Sequence, residues 1–389
     1  MDGGVRPEGA GVREKPTEFD RAGTGSSKWA RAGGGAIALG LADMDLPGPA
    51  AIGAALAARA AHPAYGYTVA DPGGRELVAR WYRRRHGVAV DPEWVLLLPF
   101  GPSTALRLLL AAAAPRLRGR AAAGVVPEWG GFARVCAAAG VPFRTAALVR
   151  EGDGLRLPME ALAAFRPGAV LLSSPHNPTG RLWDGAGIRA LAELAAAEDG
   201  LLVSDEVHGD LVHPDHGLRQ PVAVALAGAA AGHTVTLGSV GKTFNTSGVP
   251  SCWALVPDAA LRGRLLEVMA GYGLWEGGLL EQTVQRAALT GGEEWLDALL
   301  PRLAAARDRV LAALGPAVSA RPQASYLLWL DGTALGLPPG RARAAALTER
   351  DVELADGADF GGPVPGFLRL NYALPPALLD MALHRLTRT

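Results

Sequence analysis

Short, continuously apolar runs alternate with longer, helix-periodic ones through the middle of the chain. GAVLLSSP (168–175), GLLVSDEV (200–207) and HTVTLGSV (233–240) each end in small or polar residues, and GAGIRALAELAAAEDG lies between the first two. Uninterrupted apolar runs of this length read as strands buried on both faces of a parallel sheet. Strand, crossover helix, strand predicts an α/β layer, with a mostly parallel central sheet flanked by helices. WVLLLPF (94–100) is an earlier strand-like run of the same kind. Ligands of such sheets collect beyond the carboxyl ends of the strands.

The pattern changes along the chain in a way that predicts three parts. Residues 1–45 read as a Gly-rich, poorly periodic arm that ends in the turn LADMDLPGP and packs with a small lobe. Residues 46–280 carry the α/β pattern and form a large domain. Residues 281–389 form a smaller α+β domain: amphipathic helices over LLEQTVQRAALTGGEEWLDALLPRLAAARDRVLAAL precede the strand-like ASYLLWLD and FLRLNYAL.

Composition narrows the function classes. At 389 residues and 49% apolar, the chain is long enough for a large core, and its net charge of zero is spread without like-charge blocks. That excludes a polyanion-binding surface and favours small-molecule chemistry. Arg and Pro cut every apolar run short of a membrane span, and no secretory h-region opens the chain, so a reducing cytoplasm is the expected setting. Cys136 and Cys252 are too few for a disulfide framework and read as small core residues. No metal-ligand spacing stands out.

One residue breaks a habit. Of 38 basic residues only Lys15, Lys28 and Lys242 are lysine, and Lys242 sits in SVGKTFNTSG directly after a predicted strand. Arginine stays protonated, whereas a buried lysine sheds its proton and attacks carbonyl carbons. Two other strand ends carry Asn177, in PHNPTG, and Asp205. WVLLLPF runs into GPSTAL, a turn that opens a helix and offers backbone N–H groups and hydroxyls to a phosphate. An amine, a carboxylate, an amide and a phosphate cradle around one crevice meet the needs of pyridoxal phosphate. Its aldehyde takes the amine, its ring nitrogen needs a carboxylate to stay protonated, and its phenolic oxygen takes a neutral donor.

In this order and spacing, PHNPTGRLW, SDEVHGDLV and SVGKTFNTSG resemble the fold type I pyridoxal-phosphate enzymes. More closely, the chain is similar to the cystathionine β-lyase-like (C–S lyase) branch of the class I/II aminotransferase family. FDRAGTGSSKW, LADMDLP, HPAYGYT, GEEWLDALL, SYLLWLD and GFLRLNYALP extend the likeness over nearly all of the chain after residue 18. The resemblance implies that Lys242 links to the cofactor and shuttles protons, Asp205 pairs with the ring nitrogen, and Asn177 bonds the ring oxygen. Ser239, Gly101, Ser103 and Thr104 would hold the phosphate, with Tyr67 reaching in from the second subunit of a homodimer. Trp129 would cover the ring face where the family usually has tyrosine, and His208 would also touch the cofactor. Arg369 would clamp the substrate carboxylate as a bidentate fork, with Asn177, Met44 and Trp275 as further substrate contacts. Gly241 stands where Ser or Thr is common, and the entrance segment MAGYGLWEGGLLEQ has gained Tyr272, Trp275 and Glu276.

The implied reaction is α,β-elimination from an S-substituted L-cysteine, cystathionine or a bulkier conjugate, giving a thiol, pyruvate and ammonia. The same residues permit transamination, or decarboxylation or oxidative deamination of a specialised amino acid. A cofactor-binding regulatory module is a further class, for which no helix-turn-helix segment precedes residue 45.

Overall fold

The computed structural model describes residues 21, 23–152, 154–362 and 365–388. Residues 1–20 and 22 of the opening arm, Lys15 among them, lie outside these residues. The central sheet has seven strands: β1 (Val95–Leu98), β2 (Ala122–Val126), β3 (Phe143–Ala147), β4 (Ala169–Ser173), β5 (Leu201–Asp205), β6 (Thr234–Gly238) and β7 (Cys252–Leu255). Their order across the sheet is β1-β7-β6-β5-β4-β2-β3. β7 runs antiparallel to both of its neighbours, and the other printed pairings are parallel.

Period-two alternation distributes the strand residues between two helical layers. In β4, Leu171 joins one apolar cluster with Leu109 of helix α1 (Pro102–Ala112) and Phe132 of helix α2 (Gly131–Ala138). Val170 and Leu172 join the opposite one, with Ile188 and Leu191 of helix α3 (Gly185–Ala197). Helix α3 starts where its sequence says it should, because the Asp184 carboxylate accepts the Gly187 N–H at 2.6 Å and caps the first turn. Both cysteines are unpaired and buried within the first of these clusters.

The smaller lobe carries the antiparallel sheet β8 (Leu327–Asp331), β10 (Phe367–Asn371) and β9 (Ala355–Asp356), in that order, beside the long helix α4 (Glu293–Leu314). The arm joins this lobe: Ile37–Ala38 pairs in parallel with Val352–Glu353. The two lobes share a core, since one cluster contains Trp81, Phe244 and Trp253 together with Leu296, Tyr326 and Leu370. A buried cation also ties them. Arg307 of α4, fully buried, meets His213 Nδ1 at 2.9 Å, His216 Nε2 at 3.1 Å and Asp215 Oδ2 at 2.7 Å. His213, Asp215 and His216 form the one metal-compatible trio found among the described residues, and their ligand atoms already surround this guanidinium. No described helix is long and apolar enough to cross a membrane.

The arm's own anchor is a buried charge cluster. Lys28 Nζ reaches Asp45 Oδ2 at 2.8 Å and the Asp43 carbonyl at 2.9 Å. Arg21 bridges Asp43 and Asp45, each at 2.8 Å, and the Trp29 indole donates to Asp45 at 2.9 Å. Lys28 is fully buried, so the scarcity of lysine marks two interior amines rather than one. Removing one partner of such a pair leaves a stranded charge. Lys28→Ala should therefore lower stability by about 3 kcal/mol in urea unfolding; a loss under about 0.5 kcal/mol would show the cluster to be energetically idle.

Candidate active site

Lys242, Asp205, Asn177 and Arg369 line one cavity of about 250 Å³ at the carboxyl ends of the strands, together with Trp129, His208, Ser239, Gly101 and Ser103. Strand geometry accounts for the convergence. Asp205 is the last residue of β5, Asn177 follows β4 by four residues, and Lys242 rides a single helical turn (Val240–Thr243) directly after β6. That turn is capped by Ser239, whose hydroxyl accepts the Gly241 N–H at 3.0 Å and donates to the Ser251 carbonyl at 2.6 Å. Arg369 comes from the other lobe: in β10 it pairs with Trp329 of β8 and reaches across. Its guanidinium donates to Asn177 Oδ1 at 3.0 Å and to the Gly40 carbonyl at 2.6 Å, and it lies over the Phe360 ring.

The electrostatics are those of groups short of partners. Burial lowers the Lys242 amine to about 8, with Arg369 adding to the effect and Asp43 and Asp205 opposing it. Its one hydrogen bond among the described residues goes to the Ala42 carbonyl at 2.7 Å. Burial raises the Asp205 carboxyl to about 6, against the Val207 N–H and Lys242. Asp205 accepts only that N–H, at 3.3 Å, and makes no salt bridge among the described residues. Arg369 falls to about 10, again through burial, and stays cationic at neutral pH.

These groups fit pyridoxal phosphate. Asp205 is a buried carboxylate awaiting a cation, Lys242 is a low-pKa amine, and the Asn177 amide keeps its Nδ2 donors while Arg369 holds its oxygen. Gly101 at the N-terminus of α1, Ser103, Ser239, Ser247 and Ser251 form a small, hydroxyl-rich end to the cavity. The Ser251 hydroxyl is buried there without a partner among the described residues. Ser247 and Ser251 were not predicted, although both lie within or just beyond the quoted SVGKTFNTSG.

Other predicted residues fall outside the cavity lining of this chain. Thr104 is solvent-exposed on α1, and its neighbour Ser103 lines the cavity instead. Met44 corrects an expectation: it is fully buried in the shared core, and its neighbours Leu41 and Ala42 line the cavity instead. The cause is Asn245, which reads the backbone of the Met44 turn, accepting its N–H at 3.1 Å and donating to the carbonyls of Met44 and Leu46 at 3.0 Å each. Trp275 is likewise off the cavity, held at the surface by its N–H bond to the Thr68 carbonyl at 2.9 Å and its edge contact with Tyr67. Tyr67 itself is 95% exposed.

Glu128 is a further residue that sequence reasoning missed. Its carboxylate accepts the Trp129 N–H at 2.7 Å, the Ser173 N–H at 3.0 Å and the Ser173 hydroxyl at 2.5 Å, tying β2 to β4 behind the cavity. Burial raises its carboxyl to about 8. Beside it, Trp129 depends on the glycines that follow. A Cβ at Gly131 would stand 2.1 Å from the indole, and one at Gly130 1.8 Å from the Asp359 carbonyl. Gly131→Ala should therefore move the indole, change the fluorescence of Trp129 and cost about 1–3 kcal/mol of stability; an unaltered crystallographic position of Trp129 would contradict this.

Comparison with known proteins agrees with this geometry. The model of the family described as aminotransferase class I and II matches residues 39–386. Cystathionine beta-lyase PatB of Bacillus subtilis (strain 168) is 30% identical over 380 residues, covering 94% of this chain and 97% of its own. A cystathionine beta-lyase of Corynebacterium glutamicum is 28% identical over 366 residues, covering 92% and 95%. Among solved structures, the N-succinyldiaminopimelate aminotransferase of Mycobacterium tuberculosis superposes with a TM-score of 0.77 at 29% identity, covering 90% of this chain and 92% of that one. The fold, the strand-end residues and the family match over nearly the whole chain converge, and the chain belongs to the class I and II aminotransferase family.

Proposed function

We propose that this protein is a pyridoxal-phosphate-dependent C–S β-lyase that cleaves an S-substituted L-cysteine to a thiol, pyruvate and ammonia. The observation that carries the reading is the meeting of the Lys242 amine, the Asp205 carboxylate and the Arg369 guanidinium in one cavity. The full-length relatives named cystathionine beta-lyase favour elimination over transamination.

Pyridoxal phosphate, when bound, supplies an aldehyde that binds amines covalently and a cationic ring that takes up the electron pair left by a departing Cα proton. Lys242 would hold the cofactor through its amine, and Asp205 would set its negative charge against the ring nitrogen. Asn177 would donate to the ring oxygen, Trp129 would cover the ring, His208 would add a polar contact, and Ser239, Gly101 and Ser103 would hold the phosphate. Arg369 grips the substrate carboxylate and so fixes which Cα bond faces Lys242. With the cofactor in place, the Lys242 amine would be the group that takes the Cα proton. The C–S bond at Cβ breaks, sulfur leaves with the electron pair and is protonated to a thiol, and a Cα–Cβ double bond forms. Addition of water to the released enamine gives pyruvate and ammonia. Tyr67 is turned out into solvent, which supports the reading that it serves the cavity of a second copy in a homodimer. Two unpaired buried cysteines suit a reducing cytoplasm.

Lys242→Ala should abolish covalent cofactor attachment and lower pyruvate release from S-substituted cysteines by about 10²–10⁴-fold or more. Retained turnover would refute the role. Attachment needs the neutral amine, which predominates above about pH 8. The rate at which apo-protein captures pyridoxal phosphate, followed by absorbance, should therefore rise with pH through that value; a rate that falls would contradict it. Conversion of alanine and a keto acid faster than thiol release would favour the aminotransferase reading instead.

A further inference from the structure

His208 forms part of the cavity wall, yet what holds its ring comes from the smaller lobe. The ring is 4% exposed, packs edge-on against Tyr326 at 5.5 Å, and has its Nδ1 2.9 Å from Ser325 Oγ. Its Nε2 has no hydrogen-bond partner among the described residues, while the ring lines the cavity. Burial, with Lys242 and Arg369 nearby, keeps the imidazole neutral by pushing its pKa well below the usual histidine range. A neutral imidazole carries one proton, and which nitrogen carries it decides whether the cavity meets a donor or a base.

Ser325 is itself unusual. It is buried and adopts φ +68°, a left-handed conformation that strains any residue with a Cβ. Surrounding groups enforce it: its N–H donates to the Leu211 carbonyl at 2.8 Å, and its carbonyl accepts from Tyr372 Oη at 3.1 Å and lies 2.9 Å from His213 Nε2. The hydroxyl is left with His208 Nδ1 as its one partner among the described residues. If Nδ1 donated, the serine proton would be buried without an acceptor, an expensive loss. If the hydroxyl donates, only lone pairs go unused, which costs little.

We propose that Ser325 is a positioning residue that fixes His208 as its Nε2–H tautomer, so that His208 presents a hydrogen-bond donor rather than a base to the cavity. It rests on the cavity being the reactive site, and it leaves Lys242 as the proton-moving group there. The smaller lobe thereby sets the chemistry of a histidine in the larger one.

Ser325→Gly is the discriminating variant, because glycine adopts φ +68° without strain and removes only the hydroxyl. Protein labelled with ¹⁵N-histidine, apo and cofactor-loaded, reports the tautomer through its ring nitrogen shifts, with His208 assigned by comparison with His208→Asn. Wild type should show protonated Nε2 and bare Nδ1. Ser325→Gly should unfold at the same or a higher temperature, show a mixed tautomer, and lose about tenfold in kcat. Protonated Nδ1 in the wild type, or an unchanged tautomer in Ser325→Gly, would overturn the proposal. Neither result bears on whether the wild-type enzyme releases pyruvate, so the tautomer and the lyase reading stand or fall separately.

Discussion

An amine and a carboxylate, both withdrawn from water into one cavity and not joined to each other, are the constraint on which the rest of the structure depends. Among the described residues, Lys242 bonds only to the Ala42 carbonyl and Asp205 only to the Val207 N–H. Charges buried this way are costly unless something satisfies them. The arrangement stabilises a ligand with an electrophilic carbon facing the amine and a cationic atom facing the acid. Building it takes three parallel strands ending at the same level, which is what the β4, β5 and β6 register supplies, with Ser173 opposite Asp205 and Asp205 opposite Leu237.

The second element is closure from the smaller lobe. Arg369 reaches Asn177 and the Gly40 carbonyl, while Asn371 donates to the carbonyls of Leu41 and Asp43 at 2.7 and 2.8 Å. The loop so held places Ala42 against Lys242, and its far end is pinned by Lys28, Arg21 and Asp45. A charge cluster in the arm, a strand of the smaller lobe and a strand-end lysine of the larger one thus form a continuous set of contacts. Positions of groups around Lys242 follow from both lobes at once, which is why a shared core spans them.

Much of this was legible in the sequence, for a physical reason. Buried parallel strands are continuous apolar runs, so their ends are easy to locate, and residues at strand ends converge whatever the details of the helices. Asn177, Asp205, Ser239 and Lys242 were found that way. Arg369 and Trp129 came from the family resemblance, and the structure places both on the cavity. Strands β2, β3 and β7 carry weaker signals: AAGVV and FRTAA are Ala-rich or half-polar, and β7 follows no crossover helix. What local pattern does not encode is the direction of side chains in irregular segments. Met44 and Ala42 are two residues apart, and distant residues, Asn245 and Asn371 among them, hold the backbone that turns one of them to the cavity. Trp275 looked like an entrance residue, but its indole N–H finds the Thr68 carbonyl and stays outside. Glu128 and Ser325 act through partners far away in the chain, a relation invisible in any short window.

Borohydride reduction of the cofactor-loaded protein, followed by peptide mass mapping, tests the central claim most directly, because reduction locks a cofactor–amine link in place and the chain offers only three lysines. The account predicts a single pyridoxyl adduct, on the peptide containing Lys242. An adduct on Lys28 or Lys15, or none on protein that has taken up the cofactor, would contradict it.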